Sequence, residues 1–329
     1  MTTEHPFAPF IRILGKGKNG SRALTQQEAR EAFGMIMRGE VLDEQLGAFL
    51  MLLRIKEESG EEVAGFVEAV RDSLQPPEDL SVDLDWSSYA GKRRHLPWFI
   101  LAVLALSNSG IRIFMHGTSG HTEGRLYTRE VLTELGLPVA QNWQQVEQLL
   151  ANHCFSYMDI EQLSPKLHHM IALRPVLGLR TPVHTLARQL NPLLAPATLQ
   201  SIFHPGYQQI HQQAAVLLAE AEMAVIKGDG GEVEVNPDVA SVVYKVEQGV
   251  ACEEQWPACF ERRHTKPAKL NINELRLVWQ GELEDEYALA AIQMTMALAL
   301  KLLGHADSQQ SALALAKSYW QRRQLSFFN

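Results

Sequence analysis

Apolar positions in the first 75 residues recur at the spacing of α-helices. After Thr25, five of them share one helical face: Ala29, Ala32, Phe33, Ile36 and Met37. Thr25 and Glu28 form a capping-box pattern, and Gly39 is a helix stop. Two more helical patterns follow before a proline pair at 76–77 interrupts them. The pattern therefore predicts a helical domain over residues 1–75.

From residue 76 onward the pattern alternates between helices and short β-rich runs. The apolar run at 96–110 predicts a buried helix, and IRIFMHG at 111–117 predicts a strand that ends in glycine. Helix, strand and glycine turn follow one another again at 214–231. Such alternation is typical of an α/β domain with a mostly parallel central sheet. We therefore predict a second, larger α/β domain over residues 76–329.

The composition is that of a globular protein and excludes several other classes. The 329 residues carry a formal net charge of −8, which argues against a uniformly basic DNA-coating protein. No apolar run reaches the roughly 18–20 uncharged residues of a membrane span, and the N-terminus has no signal-peptide pattern. We therefore expect a cytoplasmic location and no membrane partner. The three cysteines have no short-spaced pair, which predicts reduced thiols.

Charge is unevenly distributed along the chain. The segment from Gly91 to Arg129 holds six Lys or Arg and one acid, whereas nine acids and two lysines lie between Glu220 and Glu254. Lys92, Arg93 and Arg94 are adjacent, directly after Gly91 and before the apolar run. Such a row is a candidate contact for phosphate groups. A solvated charged surface would have the same pattern.

Two glycine-rich turns carry groups that suit an anion or a metal ion. In the first, backbone amides at Gly117 could face an anion, Thr118 could donate a hydrogen bond, and Arg125 follows. In the second, Glu232 and Glu234 are candidate ligands of Mg²⁺. Ordinary turns and solvated acidic loops have similar compositions. The turns therefore leave both interpretations open.

Several segments resemble anthranilate phosphoribosyltransferases, which belong with the nucleoside phosphorylases to glycosyltransferase family 3. The specific segments are MRGEVLDEQLGAFLMLLRIK at 37–56 and RPVLGLRT at 174–181, and MHG, REVLTELG and LNP occur in the same order. The resemblance runs to about residue 240. It implies a phosphoribosyltransferase (nucleoside phosphorylase) type fold and a homodimer formed through the helical domain. We expect residues from about 160–190 to contribute to that domain.

The loops that bind phosphate in that family are largely replaced here. Its phosphate loop, Gly-Thr-Gly-Gly-Asp, corresponds to SSYAGKR, in which Gly91 fits and Lys92 stands in place of the acid. Its Lys-His-Gly-Asn corresponds to Met115, His116, Gly117 and Thr118, without the lysine and the asparagine. The resemblance therefore implies that much of the original phosphate-binding chemistry is missing.

Other family positions have changed as well. The Asp-Glu pair that holds Mg²⁺ corresponds to Val233 and Glu234, and Ser164 replaces the histidine that would face anthranilate. Arg188 is an added cation where the family has Gly-Pro-Leu, whereas Arg174 matches the arginine that contacts the aromatic carboxylate. Losing one fixed donor often costs ~10²–10³ in rate. We therefore do not expect efficient anthranilate phosphoribosyl transfer.

The substitutions add cations as they remove donors, which leads to our first hypothesis. Lys16, Lys18 and Arg22 add three more cations in a glycine-rich, exposed stretch. The pattern resembles a divergent YbiB-like branch of this fold, whose members are associated with nucleic-acid binding. The hypothesis is a non-enzymatic binder of DNA or RNA with little sequence preference, driven by counterion release.

The alternative hypothesis is an active phosphoribosyl- or glycosyltransferase that uses phosphoribosyl pyrophosphate and an unidentified acceptor. It would bind the diphosphate through Lys92, Arg93 and Arg94 and would take Mg²⁺ as its cofactor. The retained His116 and Arg174 favour it. The pattern identifies no catalytic residue. A third interpretation is that the cations form a solvated surface only.

Overall fold

Seven β-strands form one sheet in the part of the protein that the computed structural model describes, which is residues 4–120, 122–204 and 206–325. The strands are β1 (Leu84–Ser88), β2 (Ile113–Gly117), β3 (Phe155–Asp159), β4 (Ala197–Ser201), β5 (Glu222–Ile226), β6 (Ser241–Glu247) and β7 (Val250–Trp256). Their order across the sheet is β3-β2-β1-β4-β5-β6-β7. Strands β1 to β5 are parallel, and β6 and β7 are antiparallel. The predicted mostly parallel sheet is confirmed.

Helices cover the sheet and form a bundle beside it. In chain order they are α1 (Ala8–Gly15), α2 (Gln26–Arg38), α3 (Asp43–Lys56), α4 (Gly60–Arg71), α5 (Phe99–Asn108), α6 (Thr128–Glu134), α7 (Trp143–His153), α8 (Ile160–Leu163), α9 (Pro165–Ala172), α10 (Arg174–Leu177), α11 (Val183–Leu186), α12 (Tyr207–Leu217), α13 (Asn273–Gln280), α14 (Glu286–Leu302) and α15 (Gln309–Gln321). Among the described residues, none of these helices is long and apolar enough to cross a bilayer.

The local patterns of the sequence fold as the periodicity predicts. The Glu28 amide donates to Thr25 Oγ1 at 3.3 Å, and the Thr25 amide donates to Glu28 Oε2 at 2.9 Å, so the capping box of α2 is formed. Gly39 ends that helix with φ of 78°, a left-handed conformation that glycine adopts without strain. The apolar run at 96–110 forms α5, which is buried almost throughout.

Two hydrophobic cores hold the molecule together. One lies on the sheet and includes α5, α14 and α15. The other combines α2, α3 and α4 with buried residues of α8, α9 and α11, so residues between 160 and 190 pack with the N-terminal helices. Burial of apolar surface stabilises each by roughly 25 cal/mol per Å² removed from water.

A polar network joins the helical core to the sheet. Arg71 of α4 donates to the Leu190 carbonyl at 2.7 Å and pairs with Glu220 Oε1 at 2.5 Å. Asn191 donates to the other oxygen of Glu220 at 3.0 Å. Asn191, the asparagine of the LNP segment, therefore helps to join the helical core to the sheet.

The strand order places several loops together at the carboxyl-terminal end of the sheet. The order reverses between β1 and β4, whose neighbours are β2 and β5. In open parallel sheets, ligands bind beyond the carboxyl ends of the strands at such a reversal. The loops that follow β1, β2, β4 and β5 all leave the sheet at this end, and they contain most of the candidate residues.

Candidate functional site

The loop after β1 is closed by a carboxylate of the protein itself. Glu232 Oε1 accepts hydrogen bonds from the Ala90 amide at 2.7 Å and the Gly91 amide at 2.5 Å. Burial raises the pKa of Glu232. Arg125 holds the same loop from the other side, because its guanidinium donates to the carbonyls of Ala90 and Gly91, each at 2.9 Å. The amides at this position of the fold therefore already have a hydrogen-bond acceptor within the protein.

Lys92 is an internal cation. Its side chain is 1% exposed, and its ammonium lies 2.6 Å from Glu234 Oε1 and contacts Asp229 Oδ2. Burial opposes the charge, but the carboxylates of Glu234 and Asp229 outweigh it and raise the pKa of Lys92. Burial raises the pKa of Glu234 to about 7. The expectation that Lys92 contacts an external phosphate does not fit this position, because its donors point at carboxylates inside the protein.

Arg93 and Arg94 differ from Lys92 because both are exposed. Arg94 lines a cavity of about 670 Å³ together with Lys227, Arg263 and Lys266. We call this the cationic cavity. It lies at the carboxyl end of β5, beside the loop whose carboxylates Asp229 and Glu234 bind Lys92. Across the residues that the structure describes, none of these four cations has an ion-pair partner.

The two acids that line the cationic cavity already have partners within the protein. Asp229 pairs with Lys92. Asp238 Oδ1 lies 2.7 Å from His264 Nδ1, and its second oxygen accepts the His264 amide at 2.8 Å. The hydrogen bond to Asp238 raises the pKa of His264. The free charge of the cavity is therefore positive, which suits an anionic ligand.

His116 is fully buried in a hydrogen-bond network. Its Nδ1 lies 2.7 Å from the Tyr89 hydroxyl and its Nε2 lies 3.2 Å from Asp85 Oδ2, and all three residues are almost fully buried. Gly117 is required for close packing, since a Cβ there would lie 2.2 Å from the Ser88 carbonyl. These contacts assign His116 and Gly117 structural roles and do not support phosphate binding by either.

The remaining candidate cations lie in different places. Lys16 and Lys18 are exposed, and Arg22 forms a bidentate pair with Glu28 at 2.7 Å. Arg188 donates to the His184 carbonyl and lies 5.8 Å from the Tyr89 ring centroid, and burial lowers the pKa of Arg188 to about 10. None of these residues lines the cationic cavity. The structure therefore does not bring the predicted cations together.

A second cavity, of about 620 Å³, lies between the loop after β2 and the helices α9 and α10. Thr118 and Arg174 line it. Arg174 donates to Thr122 Oγ1 at 3.1 Å, and Arg180 donates to the same oxygen at 2.8 Å. The Thr118 hydroxyl is buried and has no hydrogen-bond partner among the described residues. This cavity could accept a small polar molecule.

Comparison with known proteins identifies the family. The helical bundle domain of the glycosyl transferase family matches residues 8–74, and the α/β domain of the same family matches residues 100–322. The chain belongs to this glycosyl transferase family. The Escherichia coli K12 protein YbiB is 30% identical over 237 residues, which is 70% of this chain and 73% of YbiB. The protein is thus anthranilate phosphoribosyltransferase-like and YbiB-like.

Solved structures show the same fold at lower identity. The anthranilate phosphoribosyltransferase of Thermus thermophilus has a TM-score of 0.78 at 20% identity, covering 99% of this chain and 97% of its own. The Saccharomyces cerevisiae enzyme in complex with PRPP and Mg has a TM-score of 0.75 at 18% identity, covering 96% and 93%. The predicted phosphoribosyltransferase-type fold is therefore confirmed.

In this protein, the residues that correspond to the family's Mg²⁺ ligands are not suited to hold a metal ion. One oxygen of Glu234 binds Lys92 and the other accepts the Phe99 amide at 2.9 Å. Glu232 binds two amides through one oxygen. Within the described ranges, no group of three or more His, Cys, Asp or Glu could hold a metal. Glu232 and Glu234 therefore do not fit the predicted site, because an ammonium and backbone donors occupy both oxygens of Glu234 and one oxygen of Glu232.

Of the four cations in the cationic cavity, only Arg94 was a predicted binding residue, and Lys227, Arg263 and Lys266 were missed. Arg263 and Lys266 belong to ERRHTKPAK at 261–269, which has four Lys or Arg and one acid. That density of positive charge could have predicted a binding surface in this segment. Lys227 has no comparable signal, because it stands alone between an apolar strand and an acidic turn.

Proposed function

We propose that this family member binds nucleic acid through the cationic cavity and does not transfer phosphoribosyl groups to anthranilate. The observation that carries the proposal is the group of four exposed cations around one cavity, with no ion-pair partner in the described part of the chain. Such cations would neutralise backbone phosphates with little sequence preference. A cytoplasmic location stays a prediction.

The positions of the four cations favour a ligand with several phosphates. Arg94 follows β1, Lys227 follows β5, and Arg263 and Lys266 follow β7. Three separate loops thus supply charge to one cavity. Arginine suits bidentate contact with phosphate oxygens, whereas lysine acts as a point charge. Arg93 is exposed beside Arg94 and can extend the same surface.

The closed loop after β1 supports the absence of phosphoribosyl transfer. Backbone amides and metal ions are common partners of phosphoryl groups in proteins. Here Glu232 occupies the amides of Ala90 and Gly91, and Lys92 occupies Asp229 and Glu234. Opening the loop would leave these buried charges unpaired, which is costly.

We also propose that the protein forms a homodimer through its helical domain. Leu42 and Ile55, at the two ends of α3, are exposed large apolar residues. Their exposure supports an interface that involves the ends of α3. A dimer would present two cationic cavities and would raise the affinity for a long polymer by multivalency.

Wild-type protein is expected to bind a labelled oligonucleotide with an affinity that falls steeply with salt. Fluorescence anisotropy at a series of salt concentrations measures the slope of log K against log salt. If each cation of the cavity neutralises one phosphate, the slope is about −3 to −4, because each contact contributes roughly −0.7 to −0.9. A neutral peptide nucleic acid of the same sequence is the matched control. Absence of binding at about 50 mM salt, where electrostatic contacts are strong, would contradict the proposed function.

The alternative function, a phosphoribosyl- or glycosyltransferase with an unidentified acceptor, has one observation in its favour. The second cavity, with Arg174 and the buried Thr118 hydroxyl, is large enough for a small acceptor. Calorimetric titration with phosphoribosyl pyrophosphate and Mg²⁺ separates the two functions. Saturable heat that depends on Mg²⁺ would favour the transferase, and its absence together with oligonucleotide binding would favour the nucleic-acid binder.

A further inference from the structure

Two aromatic rings of the cationic cavity could meet a ligand, and Phe203 is exposed whereas Tyr244 is only partly exposed. Phe203 follows β4, lines the cavity and is 55% exposed. The aromatic residues near the cationic row of the sequence cannot serve this purpose, since Trp86, Tyr89 and Trp98 are buried in the cores. Phe203 thus presents an apolar ring in the cavity that the four cations line.

The position of Phe203 is fixed by its neighbours. Ile202 is buried and its amide donates to the Ile226 carbonyl at 3.0 Å, which anchors the chain next to Phe203. Gly231 adopts a φ of +90°, and a Cβ at that glycine would lie 3.3 Å from Phe203 Cβ. The ring of His204 lies edge-on to that of Phe203, with centroids 5.2 Å apart and planes at 88°. The backbone of Phe203 is therefore held against the glycine turn that also carries Asp229.

We propose that Phe203 is a stacking platform for an unpaired base, so that the cationic cavity selects single-stranded over double-stranded nucleic acid. This inference rests on the proposed function. A base stacked on the ring would place its sugar and phosphates among Arg94, Lys227, Arg263 and Lys266, which is the combination of aromatic surface and positive groove that single-strand binders use. A duplex covers its base faces with neighbouring bases, so Phe203 can add nothing to duplex binding unless the duplex opens.

The test compares two probes on wild-type protein and on variants of Phe203. The probes are a labelled single strand of about 15 nucleotides without self-complementarity, close to the upper site size of a single-strand binder, and the duplex of the same sequence. Phe203→Ala is expected to weaken single-strand binding by about tenfold or more and to change duplex binding less than twofold. Phe203→Trp is expected to restore single-strand affinity, whereas Phe203→Leu, which keeps an apolar side chain without a ring face, is not.

The control is Leu194→Ala, which shortens another exposed apolar residue that does not line the cavity. It is expected to leave both affinities unchanged. Equal loss for single strand and duplex in Phe203→Ala, or wild-type affinity in both Phe203→Ala and Phe203→Leu, would overturn the stacking role while leaving the proposed function intact. Wild-type protein that binds neither probe would instead refute the proposed function.

Discussion

Replacing Arg94, Arg263 and Lys266 together by glutamine is expected to lower the affinity for single-stranded nucleic acid by about two to three orders of magnitude at low salt. Each cation that neutralises a phosphate releases a condensed counterion, which contributes roughly 0.7 to 0.9 to the slope of log K against log salt. Three lost contacts should therefore reduce the slope by about 2 to 3. Glutamine is shorter than arginine or lysine but remains polar, and all three residues are exposed, so the fold should be retained.

A matched control separates local contacts from the change in net charge. Arg30, Lys317 and Arg322 are also exposed, and none of them lines the cationic cavity. Their joint replacement by glutamine changes the net charge equally and is expected to alter the affinity less than threefold, as screened charges at a distance do. A loss in this control as large as that in the cavity variant would mean that the cavity has no special part in binding. Loss confined to a Lys16, Lys18 and Arg22 variant would place the contact surface at the N-terminal stretch.

Lys92→Met is expected to destabilise the protein by about 3–5 kcal/mol, because removing one partner of a buried ion pair leaves an uncompensated charge. Asp229 and Glu234 would both lose their cation, and Glu234 has no access to water. Chemical denaturation measures the change in the free energy of unfolding. A loss of this size is a large fraction of the stability of an ordinary domain.

The control for this variant is Lys245→Met. Lys245 also pairs with two carboxylates, but one of them, Glu247, is 48% exposed and can be hydrated. Its loss should therefore cost less than that of Lys92. The double variant Lys92→Met with Glu234→Gln removes both charges of the buried pair, and it is expected to recover part of the stability. Equal stability of wild type and Lys92→Met would contradict the internal role of this lysine.

The cost of Lys92→Met should also depend on pH. Burial already raises the pKa of Glu234 to about 7 with Lys92 present, and the pKa should rise further without it. A carboxyl group whose folded pKa exceeds its unfolded value favours folding below the unfolded pKa, and this contribution is lost as pH rises through the folded pKa. The variant should therefore lose more stability relative to wild type at pH above about 8 than below about 6.

The elements of the fold were predictable because their signals are local. The period of the apolar residues, the Thr25 capping box and the stop at Gly39 specify α2, and an uninterrupted apolar run specifies α5. The antiparallel pair β6 and β7 was not predicted, although alternating residues around a Gln248–Gly249 turn mark it. This hairpin forms one edge of the otherwise parallel sheet.

The candidate site was less predictable because its contacts are long-range. Lys92 and Glu234 are 142 residues apart in sequence, so nothing near Lys92 indicates that it is buried. The two oppositely charged segments of the chain, which suggested a basic surface, partly neutralise each other through this pair. The cations that remain available to bind a ligand come from three loops. These loops meet because the fold places the carboxyl ends of β1 and β5 at the same end of the sheet.

Photo-cross-linking to a single strand that carries a photoreactive base, followed by mass spectrometry of the peptides, tests most directly where a nucleic acid lies on the protein. We expect the main cross-links at Phe203 and in the segment from Arg263 to Lys266. Cross-links confined to the second cavity, at Thr118 and Arg174, or to the stretch around Lys16 and Lys18, would contradict the account.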